Sequence, residues 1–186
     1  MSFSDRALQA LLDQILSVLR DSPARAPEPR EAEPTFTSHV LQPLIEARLN
    51  SLGIVGLVRS GDGAARVRTV SALGLPFFPD LTISYYREPL LAVEVKFLRS
   101  TSRQNPVATA IGQALLYRKL GYRAACVALI DLAGLASDED IVQSGSTFFE
   151  QAGLPLAFRR KAGMGLRSHP NPAAASSQQP PIPEVE

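Results

Sequence analysis

The chain is short of nearly every residue type that would tie it to a specialised environment. It has one cysteine, Cys126, so no internal disulfide forms and the fold does not depend on an oxidising compartment. Of its two histidines, His39 precedes a helix and His169 opens the tail, so neither reads as a paired metal ligand or a catalytic base. The longest apolar run, Ala124–Ile130, is seven residues, against the roughly 18 needed to suggest a membrane span. The amino terminus carries Ser4-Asp5-Arg6 and then Asp13 and Gln14, unlike a secretory signal. Charge of either sign is also scarce in excess: 19 Lys plus Arg face 18 Asp plus Glu, a net charge of +1, which excludes a polybasic partner binder. What is present is 45% apolar residues in a chain of 186, enough for one domain with a real core and appendages. These features predict a soluble, cytoplasmic protein without membrane partners.

Four segments are expected. Residues 1–21 read as an amphipathic helix, with Leu8, Leu11, Leu12, Ile15, Leu16 and Leu19 on one stripe and Ser4 as N-cap. That stripe suits packing on the main body, on a second copy in a homodimer, or on a partner subunit. Residues 22–36, with Pro23, Pro27, Pro29 and Pro34, read as a flexible linker. Residues 37–166 form the globular unit, and residues 167–186, rich in Pro, Ser, Gln and Ala, read as a disordered tail.

Within the globular unit, Leu41, Leu44, Ile45, Leu49 and Leu52 make a second helical stripe, ended by Gly53. Short strands are expected at 54–59 and 65–71 around a Gly61-Asp62-Gly63 turn. Stronger strands follow at 81–86 and 90–98. Leu90-Leu91-Ala92-Val93 is apolar on both faces, as in a central strand. A helix at 107–120, a buried strand at 123–131, a helix at 138–151 and a strand at 156–160 complete the order. Hairpin strands first and crossover units later predict an α/β fold with a mixed central sheet flanked by helices.

The residues that carry chemistry lie on two of those strands. Pro79-Asp80 heads one, and Glu94-Val95-Lys96 lies on the next. Alternation puts Glu94 and Lys96 on one face of their strand, and a hairpin brings Asp80 beside Glu94. Two neighbouring carboxylates repel unless a cation joins them, and an all-oxygen set suits Mg²⁺ or Mn²⁺ better than zinc. Taken singly, Pro-Asp is also a common turn pair and Glu-x-Lys also suits a solvated strand face. The apolar flanks of Glu94 and Lys96 favour an ion or ion-pair explanation, because an unpaired charge in a central strand is costly.

Pro79-Asp80 with Glu94-x-Lys96 resembles the signature of the PD-(D/E)xK nuclease superfamily, and Gln113 with Tyr117 resembles the Gln-x-x-x-Tyr motif of its RecB-like members. The likeness spans about residues 37–160. It implies a restriction-endonuclease-like fold and a catalytic set of Asp80, Glu94, Lys96, Gln113 and Tyr117. It further implies a Mg²⁺ or Mn²⁺ ion on Asp80, Glu94 and the Val95 carbonyl, with Glu46 of the preceding helix as a further ligand.

The span from Lys96 to Ile130 carries six basic residues and no acid. Arg99, Arg103, Arg118 and Lys119 are therefore candidates to hold a nucleic-acid backbone. The function expected is metal-dependent hydrolysis of DNA phosphodiester bonds. The alternative is an inactive module of the same fold that binds nucleic acid or assembles with a partner protein. Cys126 reads as a small core residue.

Overall fold

In a computed structural model of the chain, the described residues are 3–54 except 23 and 29, 57–60, 70–86 except 73, 88–99, 104–137 except 135, residues 139, 143 and 149, and 151–160. The first helix, α1 (Asp5–Asp21), starts where expected. The Ser4 hydroxyl accepts the Ala7 N–H at 3.2 Å, and Asp5 and Arg20 sit at the ends that the helix dipole favours. Its apolar stripe, including Leu11, Ile15 and Leu19, is buried against the strands Ala124–Asp131 and Leu156–Arg160 of the chain's own sheet and against the helix Gln42–Ser51. The stripe is therefore spent within the chain. Of the roles expected for α1, packing on the main body is the one the structure shows.

The next helical stretch begins at Glu33, inside the segment expected as linker. It comprises α2 (Glu33–Phe36), a π-helical turn (Thr37–Leu41) and α3 (Gln42–Ser51). Pro34 lies in the first turn, where a missing N–H costs nothing. Phe36, Leu41, Ile45 and Leu49 are all buried. Their spacing of five, four and four residues is the signature of the π-turn, which adds one residue to a regular helical stripe. Gly53, at φ +67°, ends the stretch as a left-handed cap.

The main sheet has strand order β1-β4-β5-β6-β7. Its members are β1 (Leu57–Ser60), β4 (Leu81–Tyr85), β5 (Glu88–Leu98), β6 (Ala124–Asp131) and β7 (Leu156–Arg160). The pairs β1–β4 and β4–β5 are antiparallel, whereas β5–β6 and β6–β7 are parallel. The sheet is thus mixed and flanked by helices. A separate hairpin pairs β2 (Val70–Ala72) with β3 (Leu75–Phe77). The Pro in Leu75-Pro76-Phe77 had hidden β3, since proline is confined to edge positions. The Gly61–Gly63 turn with the rest of its expected hairpin, most of the helix expected at 138–151, and the tail lie outside the described residues.

Strand alternation sorts the core into two layers. Leu91, Val93, Val95 and Phe97 of β5 face α1 and α3, together with Cys126, Ala128 and Ile130 of β6. Ala92 and Leu98 of β5 face the crossover helix α4 (Gln104–Leu120), together with Val127 and Leu129 of β6. Glu94 and Lys96 share that second face. Burial alone pushes the Cys126 thiol up to about 12, so it is an inert core residue.

Arg118 at the end of α4 holds the loop entering β7. Its Nη1 donates to the carbonyls of Ala152 and Gly153, both at 2.8 Å. Gly153 has φ +62°, and a Cβ there would lie 2.9 Å from Arg118 Nη1. Gly153→Ala is expected to lower stability by about 1–2 kcal/mol through left-handed strain and a displaced guanidinium. Denaturant unfolding of Gly153→Ala, Arg118→Ala and the double variant checks this: the glycine substitution should cost less once Arg118 is gone.

Candidate active site

The β4–β5 ladder stops at the pair Leu81 and Val93. Beyond it the two strands part, and β5 presents backbone groups with no β4 partner. Side-chain carboxylates take the place of the missing strand. Asp80, at the bend just before β4, accepts the Val95 N–H on Oδ2 at 2.8 Å. Glu33, at the start of α2, accepts the Phe97 N–H on Oε1 at 2.8 Å. Because a residue in a strand directs its N–H and C=O to the same edge, the Val95 carbonyl also faces this opening.

Lys96 sits at the centre. Its Nζ lies 2.7 Å from Glu94 Oε1, 3.4 Å from Glu33 Oε2 and 3.5 Å from Asp80 Oδ2. The Glu94 side chain is 1% exposed, Lys96 16%, Asp80 18% and Glu33 29%. The two carboxylates from neighbouring strands thus meet at one ammonium. From α4, the Tyr117 hydroxyl reaches both Glu94 Oε2 at 3.1 Å and the Phe78 carbonyl at 3.0 Å. Gln113 lies one turn earlier on α4, and its Oε1 is buried without a hydrogen-bond partner among the described residues.

Burial dominates the electrostatics of the carboxylates. It raises Glu94 to about 8, with the charge of Asp80 adding to the rise and Lys96 and Tyr117 opposing it. Burial likewise raises Asp80, against the pull of Lys96 and the Val95 N–H. For Lys96, burial disfavours the charged form, but Asp80 and Glu94 outweigh it and the ammonium is held above its ordinary range. Tyr117 is raised by burial and by Glu94. The phenol has one hydrogen for two acceptors. When Glu94 carries a proton, it donates to the phenolic oxygen while the phenol donates to Phe78, and both contacts are satisfied.

Asp80, Glu94 and Lys96 are therefore brought together, with Val95 and Tyr117 beside them. Glu46 is not: its carboxylate accepts from Gln42 on its own helix at 2.9 Å and, among the described residues, shares no hydrogen bond or ion pair with the cluster. The acid that this helical stretch supplies is Glu33, which lies in the segment expected as a linker. The five-residue step from Phe36 to Leu41 was the available signal. Among the described residues, no group of three or more His, Cys, Asp or Glu side chains is placed to hold a metal ion. The donor set that remains, two carboxylates and a backbone carbonyl, fits a hard divalent ion that keeps several waters.

Two of the basic candidates have partners within the chain. Arg99 Nη2 donates to the Glu31 carbonyl at 2.7 Å, and its guanidinium lies over the Phe97 ring. Arg118 is occupied with Ala152 and Gly153, and Lys119 is exposed on α4. Arg103 lies outside the described residues.

The raised pKa of Glu94 sets a pH dependence of stability. An unfolded glutamate titrates near 4.5 and the folded one at about 8, so between these values the folded state binds the extra proton. The contribution is fully present below about 4.5 and is lost as pH rises through about 8. Asp80, also raised, acts in the same direction. Denaturant unfolding across pH without added divalent ion should show stability falling over this window, with a flatter profile in Glu94→Gln. A flat profile in the parent chain refutes the assignment.

No family model matches the chain, and no curated protein matches it. Among solved structures it is similar to the crystal structure of an XisH family protein from Nostoc punctiforme PCC 73102. The TM-score is 0.36 with 17% sequence identity, covering 64% of this chain and 90% of the other. A likeness this loose carries no argument about activity.

Proposed function

We propose that the chain is a metal-dependent nuclease that hydrolyses phosphodiester bonds in DNA, as the resemblance of its motifs to the PD-(D/E)xK superfamily implies. The observation that carries this reading is the meeting of Asp80 and Glu94 at Lys96, at the point where the β4–β5 ladder opens. Asp80, Glu94 and the Val95 carbonyl would hold a Mg²⁺ or Mn²⁺ ion. When bound, such an ion lowers the pKa of a coordinated water and offsets phosphate charge.

The chain's own residues supply the rest. Asp80 is fixed by the Val95 N–H, so its free oxygen has a defined direction. Tyr117 fixes Glu94 from the other side. Lys96, held charged by its neighbours, is placed to orient an attacking water and to stabilise charge building on the phosphate. The unpartnered Oε1 of Gln113 is an acceptor waiting on the same face of α4 as Tyr117.

A second reading has its own support. Lys96 already counters the carboxylates, so the cluster is satisfied as a structural ion network, as an inactive nucleic-acid-binding or assembly module requires.

Cleavage and ion binding separate the two. The nuclease reading expects divalent-dependent cutting on a panel of duplex, single-stranded, branched and RNA substrates. Asp80→Asn and Lys96→Met should each reduce it by at least about 100-fold, with unchanged circular dichroism. Calorimetry should show Mn²⁺ binding that Asp80→Asn abolishes. Absence of both cleavage and Mn²⁺ binding in the parent chain favours the module.

A further inference from the structure

The contact between Glu33 and β5 has the form of a bound anion. A negatively charged group receives one backbone N–H, from Phe97 at 2.8 Å, and one ammonium, from Lys96 at 3.4 Å. The Phe97 N–H lies on the strand edge that β4 leaves open, and the Lys96 ammonium reaches the same carboxylate from the sheet face. We infer that the Phe97 N–H and the Lys96 ammonium form an oxyanion subsite, which Glu33 fills as an internal competitor that a substrate phosphate must displace. This rests on the nuclease reading for the identity of the anion as a phosphodiester, and the donors themselves suit any tetrahedral phosphate oxygen.

The elements around Glu33 are arranged for it to leave. Of the three carboxylates on Lys96 it is the most exposed. It occupies the first turn of its helix after Ala32, an N-cap that makes no side-chain hydrogen bond, so this end is held weakly. Two residues earlier the chain is anchored instead. Glu31 binds Arg25 through both carboxylate oxygens at 2.6 and 2.7 Å, and its carbonyl accepts from Arg99 at 2.7 Å. Withdrawal of Glu33 therefore pivots about a fixed point and leaves the preceding segment in place. Glu94 has no such freedom, being 1% exposed and held by Tyr117 as well as Lys96, and Asp80 is less exposed than Glu33. Glu33 and a phosphate oxygen are both anionic, so exchanging one for the other changes the local charge balance little.

The test uses the full chain with Ca²⁺ present and two probes, inorganic phosphate by calorimetry and a short fluorescein-labelled DNA strand by anisotropy. Glu33→Gln keeps the shape and an acceptor for Phe97 but loses the charge that holds Lys96; it should bind both probes about tenfold more tightly than the parent. Glu33→Ala, which empties the subsite, should gain at least as much. The gain should vanish in Glu33→Gln/Lys96→Met. Glu28→Gln removes the same charge from an exposed neighbouring position and should leave both affinities unchanged. Three results would each overturn the inference: phosphate affinity unaltered in both Glu33 variants, an equal gain in Glu28→Gln, or a loss of Mn²⁺ affinity in Glu33→Gln, which would make Glu33 an ion ligand. Because the phosphate arm needs no DNA, a chain that neither binds nor cuts DNA defeats the nuclease reading while phosphate still decides the subsite.

Discussion

The opening of the β4–β5 ladder after Leu81 and Val93 governs the chemistry of this protein. A strand edge in the middle of a sheet cannot be left without acceptors, since an unmet buried N–H costs about 1–3 kcal/mol. The chain meets that demand with carboxylates rather than with backbone. Asp80 serves Val95 and Glu33 serves Phe97. Concentrating negative charge at one edge then requires a cation, and Lys96, whose ammonium reaches Asp80 and Glu33 from the face it shares with Glu94, provides it. The cluster is thus a direct consequence of two strands separating while remaining in one sheet.

Much of this was legible in the sequence. Alternation along Glu94-Val95-Lys96 places the two charged residues on one face, and the apolar flanks mark the strand as central; both hold in the structure. A helix after that strand puts Gln113 and Tyr117 on one side, and Tyr117 reaches Glu94. These features depend on short-range periodicity, which sequence displays directly.

Glu33 was hidden for a physical reason. The π-turn breaks the spacing on which a helical stripe is recognised, and the prolines around it suggest a linker although Pro34 sits where a helix start tolerates it. The surroundings of the arginines were hidden for another reason. Charge in a sequence says nothing about how far a guanidinium reaches, and Arg99, Arg118 and Arg159 each reach a backbone carbonyl of the chain itself. Through Arg159 on β7 and Arg99 after β5, the irregular segment that follows α1 is fastened across the sheet, which explains how a proline-rich stretch delivers an acid to a defined place.

The π-turn at Thr37–Leu41 makes the direction of Glu33 a matter of chain length. Each residue of a helix turns what precedes it by about 100°. With α3 anchored by Ile45 and Leu49, removing a single residue from this turn would restore a regular spiral and rotate the Glu33 side chain away from β5. Between two chains alike at every motif position, this one-residue difference in length would decide whether the carboxylate faces the ammonium or the solvent.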